Sequence, residues 1–388
     1  MKVLFLSSWY IGDKGKGDVN FVYDQIETIS KKVDAYYFEY QFNGILKWLI
    51  LKLKGKEIVE ITRLWDNSNV KAYMVNLPRF STRITRRSLY REIEIHSKLF
   101  SKYILKILGK PDVIHIHTIL PSGIMGTRLK EILDTKLVIH EHSGPFDMHM
   151  DTSEKKYNVK EILYKADGLI VVSDFLKENI TKEFRGLNKK VFVVPNLVRT
   201  DIFKVDYLKS RDVFTIVTII NEQPIKGLSI LFEVAKILKN RYNLTYKWKL
   251  IGLDRNNSSL IKKIKKRNIE FNFEILGKMS KEEIFNVFQN CNIYVCTSFE
   301  ETFGLAPAEA IASGVPVVST KCGGPEMYMN KNTGLWALVG DPNDIADKII
   351  LLGSTLNQYN PELMHNWIKS NYSPQEYSEN IQSVYDQI

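Results

Sequence analysis

Two doubly wound α/β domains in tandem, facing a central cleft, are what this sequence predicts, on three observations. Short apolar runs alternate with longer helical patterns, the alternation restarts after residue 212, and the stretch before the restart is polar with neither period. In the first half the strand-like runs are residues 3–6, 113–116, 137–139, 169–172 and 191–194. Strands this continuously apolar, separated by helices, belong to parallel sheets covered on both faces. In the second half the runs are 214–220, 248–251, 271–276, 293–296 and 315–319, with helices at 228–240 and 282–289 between them. The polar stretch 195–211 opens with Pro195-Asn196 and reads as the interdomain linker. The expected domains are therefore 1–198 and 199–365, with a C-terminal helix over 366–388 crossing back onto the first.

Bulk composition narrows the class. A chain of 388 residues that is 44% hydrophobic and 25% charged is globular and long enough for two cores. The apolar start is closed by Ser7 and Ser8 and reads as a first strand, not a signal peptide. No uninterrupted apolar run is long enough to span a membrane, and the best candidate, 45–53, is cut by Lys47 and Lys52. Cys291, Cys296 and Cys322 are odd in number and lack metal-ligand spacing, so reduced thiols and a cytoplasmic location are expected.

The most informative segment is the loop from Ser298 to Gly304 and the helix it opens, immediately after the strand 293–296. Loops at the carboxyl ends of parallel strands are where open α/β sheets bind ligands. Pro307 suits a first helical turn, and free amides near Gly304 and Leu305 with the helix dipole would receive an anion such as a diphosphate. Glu301 in the loop and Glu309 in the first turns can both face one cleft, where carboxylates suit paired sugar or ribose hydroxyls. Taken singly, each glutamate reads more readily as an ordinary acid, Glu309 on a solvated helix face and Glu301 in a loop.

The wider pattern is more specific. Glu301-x7-Glu309, then Ala310-x-x-Ser313-Gly-Val-Pro-Val-Val and Gly323-Gly324-Pro325-Glu326, resembles the donor-binding signature of family-4 retaining glycosyltransferases of GT-B fold. The resemblance continues at Lys226-Gly227, at Pro195-Asn196, from Ala166-Asp167 to Ser173, from Asp112 to His117 and in the glycine-bearing loop 12–17. It implies that Glu309 binds the donor ribose, Glu301 the transferred sugar and Lys226 the diphosphate, with Gly17 approaching the same phosphates. Phe303, Gly304 and Leu305 complete the donor-side set. The family's arginine five residues before the lysine is Asn221 here, so one phosphate contact is missing or supplied from elsewhere.

His115, His117, His140 and His142 cluster at the carboxyl ends of two predicted strands. A spacing of two puts each pair on one side of its strand, which can suggest a metal, but no stable ligand set with ordered supporting partners is visible and none is expected. The resemblance matches His142, in Glu141-His142-Ser143, to a histidine facing acceptor and donor sugar, with His117 a further acceptor-side candidate. Glu301, His142 and Lys226 are the expected catalytic set. No Asp-x-Asp is placed to bridge donor phosphates through a metal, so no cofactor is expected. What the resemblance implies is transfer, with retention by front-face attack, from a UDP- or GDP-sugar to a glycan or lipid-linked acceptor in cell-surface polysaccharide or glycoconjugate synthesis. A nucleotide-sugar epimerase and a catalytically silent sugar-nucleotide-binding partner are the other readings. Asn221 favours the silent partner; intact Lys226, Glu301 and Glu309 speak against it.

Residues 45–110 hold 15 Lys and Arg against 5 Asp and Glu, an excess equal to the +10 of the whole chain. With Trp48, Leu49 and Leu53 among the lysines, this region reads either as a membrane-surface segment for anionic lipid or as an amphipathic helix with a solvated cationic face. The first would place the protein peripherally on the inner face of the cell membrane. No nucleic-acid motif accompanies the charge, and no nucleic-acid partner is expected.

Overall fold

A computed structural model of the chain describes residues 1–9, 20–44, 50, 53, 60–66, 69–79, 85–187, 190–206 and 213–388. They divide into two compact units, Met1–Pro195 with Tyr377–Ile388, and Asn196–Glu376.

In the first unit, β1 (Lys2–Ser7) lies between β2 (Asp34–Gly44) and β5 (Val113–His117), parallel to both. Beyond β2 come β4 (Val70–Arg79) and the antiparallel edge strand β3 (Glu60–Asp66). Beyond β5 come β6 (Lys136–Glu141), β7 (Gly168–Val171) and β8 (Val191–Val193), so the order is β3-β4-β2-β1-β5-β6-β7-β8. The order reverses at β1, which makes its carboxyl end the switch point of the sheet. Val3, Leu4, Phe5 and Leu6 are buried on both faces, as a near-continuous apolar run requires. The helices of this unit are α1 (Asn20–Ile29), α2 (Arg86–Leu108), α3 (Ser122–Leu133), α4 (Ser153–Lys165) and α5 (Asp174–Glu183).

The second unit carries an all-parallel sheet. Its strands are β9 (Phe214–Ile219), β10 (Tyr246–Ile251), β11 (Phe273–Gly277), β12 (Ile293–Cys296), β13 (Val317–Thr320) and β14 (Gly334–Ala337), in the order β11-β10-β9-β12-β13-β14. Its core closes around Trp248, which is fully buried and donates its indole N–H to Thr218 Oγ1 at 3.0 Å. Helices α6 (Leu228–Asn240), α7 (Ser258–Lys265), α8 (Lys281–Phe288), α9 (Leu305–Ala312), α10 (Pro342–Ser354) and α11 (Pro361–Tyr372) connect and cover the strands. Pro342 and Pro361 start α10 and α11 behind Asp341 and Asn360, whose side chains accept the first free amides.

The structure departs from the sequence reading in three places. The expected single helix over 366–388 is two, α11 and α12 (Pro374–Gln387), because Pro374 has no N–H to donate backward and its ring turns Ser373 extended. The run 315–319 starts as a strand only at Val317, since Pro316 cannot join the ladder by its nitrogen; its carbonyl still accepts from Tyr294 at 3.0 Å. Before and within the basic region, β2, β3 and β4 were not legible as strands, because Glu39, Gln41, Asn43, Lys71 and Asn76 interrupt the apolar pattern. The basic stretch that follows is the helix α2. Thr85 and Ser88 cap it reciprocally, and Gly109 at φ 76° ends it.

Candidate active site

The loop after β12 is held by two zippers. On one side, Phe299 N–H donates to Ile225 O at 2.7 Å, and Thr297 Oγ1 donates to the carbonyls of Lys226 and Gly227. Gly227 has φ 70°, and a Cβ there would sit 2.1 Å from Thr297 O, so only glycine permits this approach. On the other side, Glu301 N–H donates to Cys322 O at 2.8 Å, and Gly324 N–H donates to Glu301 O at 2.7 Å. A Cβ on Gly324 would lie 2.3 Å from Phe303 Cα. The Lys226-Gly227 and Gly323-Gly324 pairs thus press the loop into place from both flanks.

Between the zippers, Lys226 Nζ donates to both oxygens of Glu301, at 2.8 and 2.9 Å, and Ser298 Oγ donates to Glu301 Oε1 at 2.7 Å. Burial works against the Lys226 ammonium, but the charge and hydrogen bonds of Glu301 outweigh it and hold the group above its ordinary range. Both side chains remain partly exposed, 26% for Lys226 and 16% for Glu301, so the pair is open to a ligand. Half-buried Glu309, on the first turns of α9, is pushed by burial up to about 7, with Lys281 at the start of α8 pulling the other way. Burial, and more weakly both Glu301 and Glu309, drive up the phenol of Tyr294, so the two carboxylates act on one buried group.

Other donor-side candidates fall differently. Gly304 takes φ 78° at the start of α9, where its carbonyl accepts from Tyr328 at 2.5 Å. Leu305, next in the chain, is half-buried. The Phe303 ring is buried against Tyr328 and Tyr372, at 5.3 and 5.8 Å between centroids, which leaves only its backbone for a ligand. Asn221 accepts from Gln223 N–H at 3.0 Å and shapes the turn leading to Lys226. Gly17 lies outside the described residues. Sequence reasoning missed Ser298 and Lys281; the first stands inside the motif, the second carries no signal of its own.

In the first unit, the switch point is tied by Ser8 Oγ donating to Thr118 O and Ser122 Oγ donating to Ser7 O, both at 2.8 Å. Glu141, fully buried, accepts from three backbone amides: Ile119 at 2.8 Å, His142 at 2.9 Å and Ser143 at 2.6 Å. It thereby sets the loop carrying His142, a role the sequence did not reveal. His142 packs edge-on against Phe21 at 5.2 Å and near Trp9 at 6.1 Å, and its Nε2 lies 3.0 Å from Nδ1 of wholly buried His117. Beside them, a cavity of about 350 Å³ is walled by Ser7, Trp9, Glu39, Tyr40, Phe42 and Ser122, among others.

Residues 198–374 match the family described as glycosyl transferases group 1, and residues 59–202 match Glycosyltransferase Family 4. The chain belongs to the group 1, family 4 glycosyltransferases. It is an enzyme of the transferase class, on the GT-B fold. It is 28% identical over 247 residues to an uncharacterized glycosyltransferase of Methanocaldococcus jannaschii, covering 62% of this chain and 65% of that one. A phosphatidylinositol N-acetylglucosaminyltransferase component of Arabidopsis thaliana is also 28% identical, over 88% of this chain and 76% of the relative. Anabaena HepE, solved with UDP and glucose, superposes over the full length of both chains with a TM-score of 0.72 at 17% identity, a likeness of fold.

Proposed function

We propose that this glycosyltransferase moves a sugar, with retained anomeric configuration, from a UDP- or GDP-sugar to a glycan or lipid-linked acceptor in the making of cell-surface glycoconjugates. The observation that carries the reading is the Lys226–Glu301 pair: a bidentate, partly exposed ion pair in a loop at the carboxyl end of β12, with Glu309 one helix turn beyond. A diphosphate competes with Glu301 for the ammonium, and the freed carboxylate then accepts from hydroxyls of the transferred sugar. Glu309, as carboxylate, accepts from the ribose hydroxyls. UDP is the favoured base, supported by HepE having been solved with UDP.

In the reaction the acceptor hydroxyl attacks the anomeric carbon on the face the diphosphate leaves. The bond from that carbon to the phosphate oxygen breaks, and the acceptor proton passes to the departing oxygen. Charge growing on the diphosphate is met by Lys226 and the amides at the start of α9, groups already oriented before the step. His142, seated by Glu141, orients the acceptor, and buried His117 acts through it.

Location at a membrane surface is part of the proposal. Among the described residues no helix is long and apolar enough to cross a membrane. Lys47, Trp48, Leu49, Lys52 and Lys54 lie outside the described residues, whereas the described Leu53 is 86% exposed and Ile50 43%, which suits shallow insertion beside lysines. A screen of UDP-, GDP- and ADP-sugars for stabilisation, followed by transfer assays in excess EDTA, tests the chemistry. A UDP- or GDP-sugar should raise the melting temperature and transfer should persist without added metal. A requirement for Mn²⁺ or Mg²⁺, or an epimerised sugar as product, would refute it.

A further inference from the structure

The histidines of the first unit hold more than the acceptor-side role uses. His115 and His117, at i and i+2, point to one side of β5, and the parallel register sets His117 directly opposite His140 on β6. None of the three exposes more than 1% of its surface. His115 Nδ1 is 2.7 Å from the Tyr385 hydroxyl of α12, and its Nε2 is 3.3 Å from His140 Nδ1. Nε2 of His117 and Nε2 of His140 are left, both buried and neither with a hydrogen-bond partner. However the protons are placed, each of these atoms is a buried N–H without an acceptor or a buried lone pair without a donor. Native interiors rarely leave such atoms without a water or an ion.

An ion fits better than water. One nitrogen from each of His115, His117 and His140 can be chosen so that all lie within 4.8 Å of one another. Burial, with the neighbouring imidazoles adding to it, drives all three well below the ordinary histidine range, which keeps them in the neutral form that ligates. His115 and His117 each have their other nitrogen at hydrogen-bond distance from a fixed partner, Tyr385 and His142, as ligating histidines do. An all-imidazole set without carboxylates selects transition ions over magnesium or calcium.

We propose that His115, His117 and His140 bind one divalent transition-metal ion of the zinc class, with His117 ligating through Nε2. Two histidines from one strand and a third from its neighbour supply the three-histidine set such ions accept, with a fourth position left for water. Ligand nitrogens around tetrahedral zinc stand about 3.3 Å apart, so the rings turn inward on binding. Phe5, at 5.3 Å from the His115 ring, and Tyr377, at 6.3 Å from the His140 ring, pack against the cluster. The ion lies in the sheet core and takes no part in handling donor phosphates.

The test is metal content of the full chain, made without a histidine tag in zinc-supplemented cells and dialysed. Wild type and the control His365→Gln, a buried histidine bonded to Ala312 O, should carry about one zinc per chain; His115→Gln and His140→Gln should carry less than about a tenth of that. Protein produced with cobalt should show the intense visible bands of tetrahedral Co²⁺. Zinc-free wild type without those bands, or variants that keep the wild-type content, would overturn the site. Should either variant fail to fold, the wild-type cobalt spectrum decides alone.

Discussion

The loop after β12 and the histidines of β5 and β6 occupy equivalent places, the carboxyl ends of parallel strands in two similar sheets, yet they treat polarity in opposite ways. The first keeps charge: Lys226 and Glu301 face each other as an ion pair, partly exposed and matched. The second suppresses charge, because its imidazoles are sealed under Phe5 and Tyr385 and held neutral by burial. On the proposed function, a site that receives a diphosphate needs fixed charge at its surface. On the same proposal, a site that orients a neutral hydroxyl does not, and its imidazoles sink into the core, where Nε2 of His117 and Nε2 of His140 are left for the proposed ion.

The difference can be broken most strongly at Glu309. Glu309→Ala should raise the donor KM about 10- to 100-fold, the range for one lost charge-assisted contact, while His142→Ala leaves the donor KM unchanged and lowers turnover. Measured KM and kcat for both variants check this, and equal effects of the two on donor KM would erase the distinction.

A smaller effect is expected from pH. Glu309, facing Lys281 and Tyr294, titrates near 7 in the folded chain and lower when unfolded, so the native state binds the extra proton between those values. Its contribution to stability is therefore complete below the unfolded value and lost as pH rises through about 7. Glu309→Gln should melt at relatively higher temperature than wild type above neutrality and not below. Donor affinity should run the other way in wild type, falling as pH drops below 7 and the carboxylate protonates. A wild-type donor affinity flat across that range would contradict the ribose role.

How much of this was legible follows the same division. The motif that carries the family resemblance pointed to Glu301, Glu309 and Lys226, and the structure sets Lys226 against Glu301. The inward turn of the Phe303 ring was not legible, since its core partners Tyr328 and Tyr372 are distant in sequence. Glu141 stayed hidden because a carboxylate serving backbone amides has no pattern of its own. The strands β2 and β4 were missed because their polar residues broke the apolar run, although Glu39 and Asn76 are buried in the fold.

The weakest expected effect concerns the basic region, where Lys71 and Lys110 pair with Asp34 and Asp134 but the sequence keeps a large excess of Lys and Arg over Asp and Glu. In flotation, the protein should rise with acidic vesicles, stay down with neutral ones and be released by salt, each lysine near the surface contributing about 1 kcal/mol. Gln at Lys47, Lys52, Lys54, Arg86 and Arg87 should weaken flotation and spare transfer to a soluble acceptor analogue. Protein that ignores acidic vesicles at low salt would mark the region as a solvated face.

Titration calorimetry of UDP against wild type and Lys226→Ala addresses the central claim, that the Lys226–Glu301 pair is the diphosphate anchor. The substitution should weaken UDP at least about tenfold, corresponding to about 1.5 kcal/mol or more, with circular dichroism unchanged. Equal affinity of the two proteins for UDP would contradict the account.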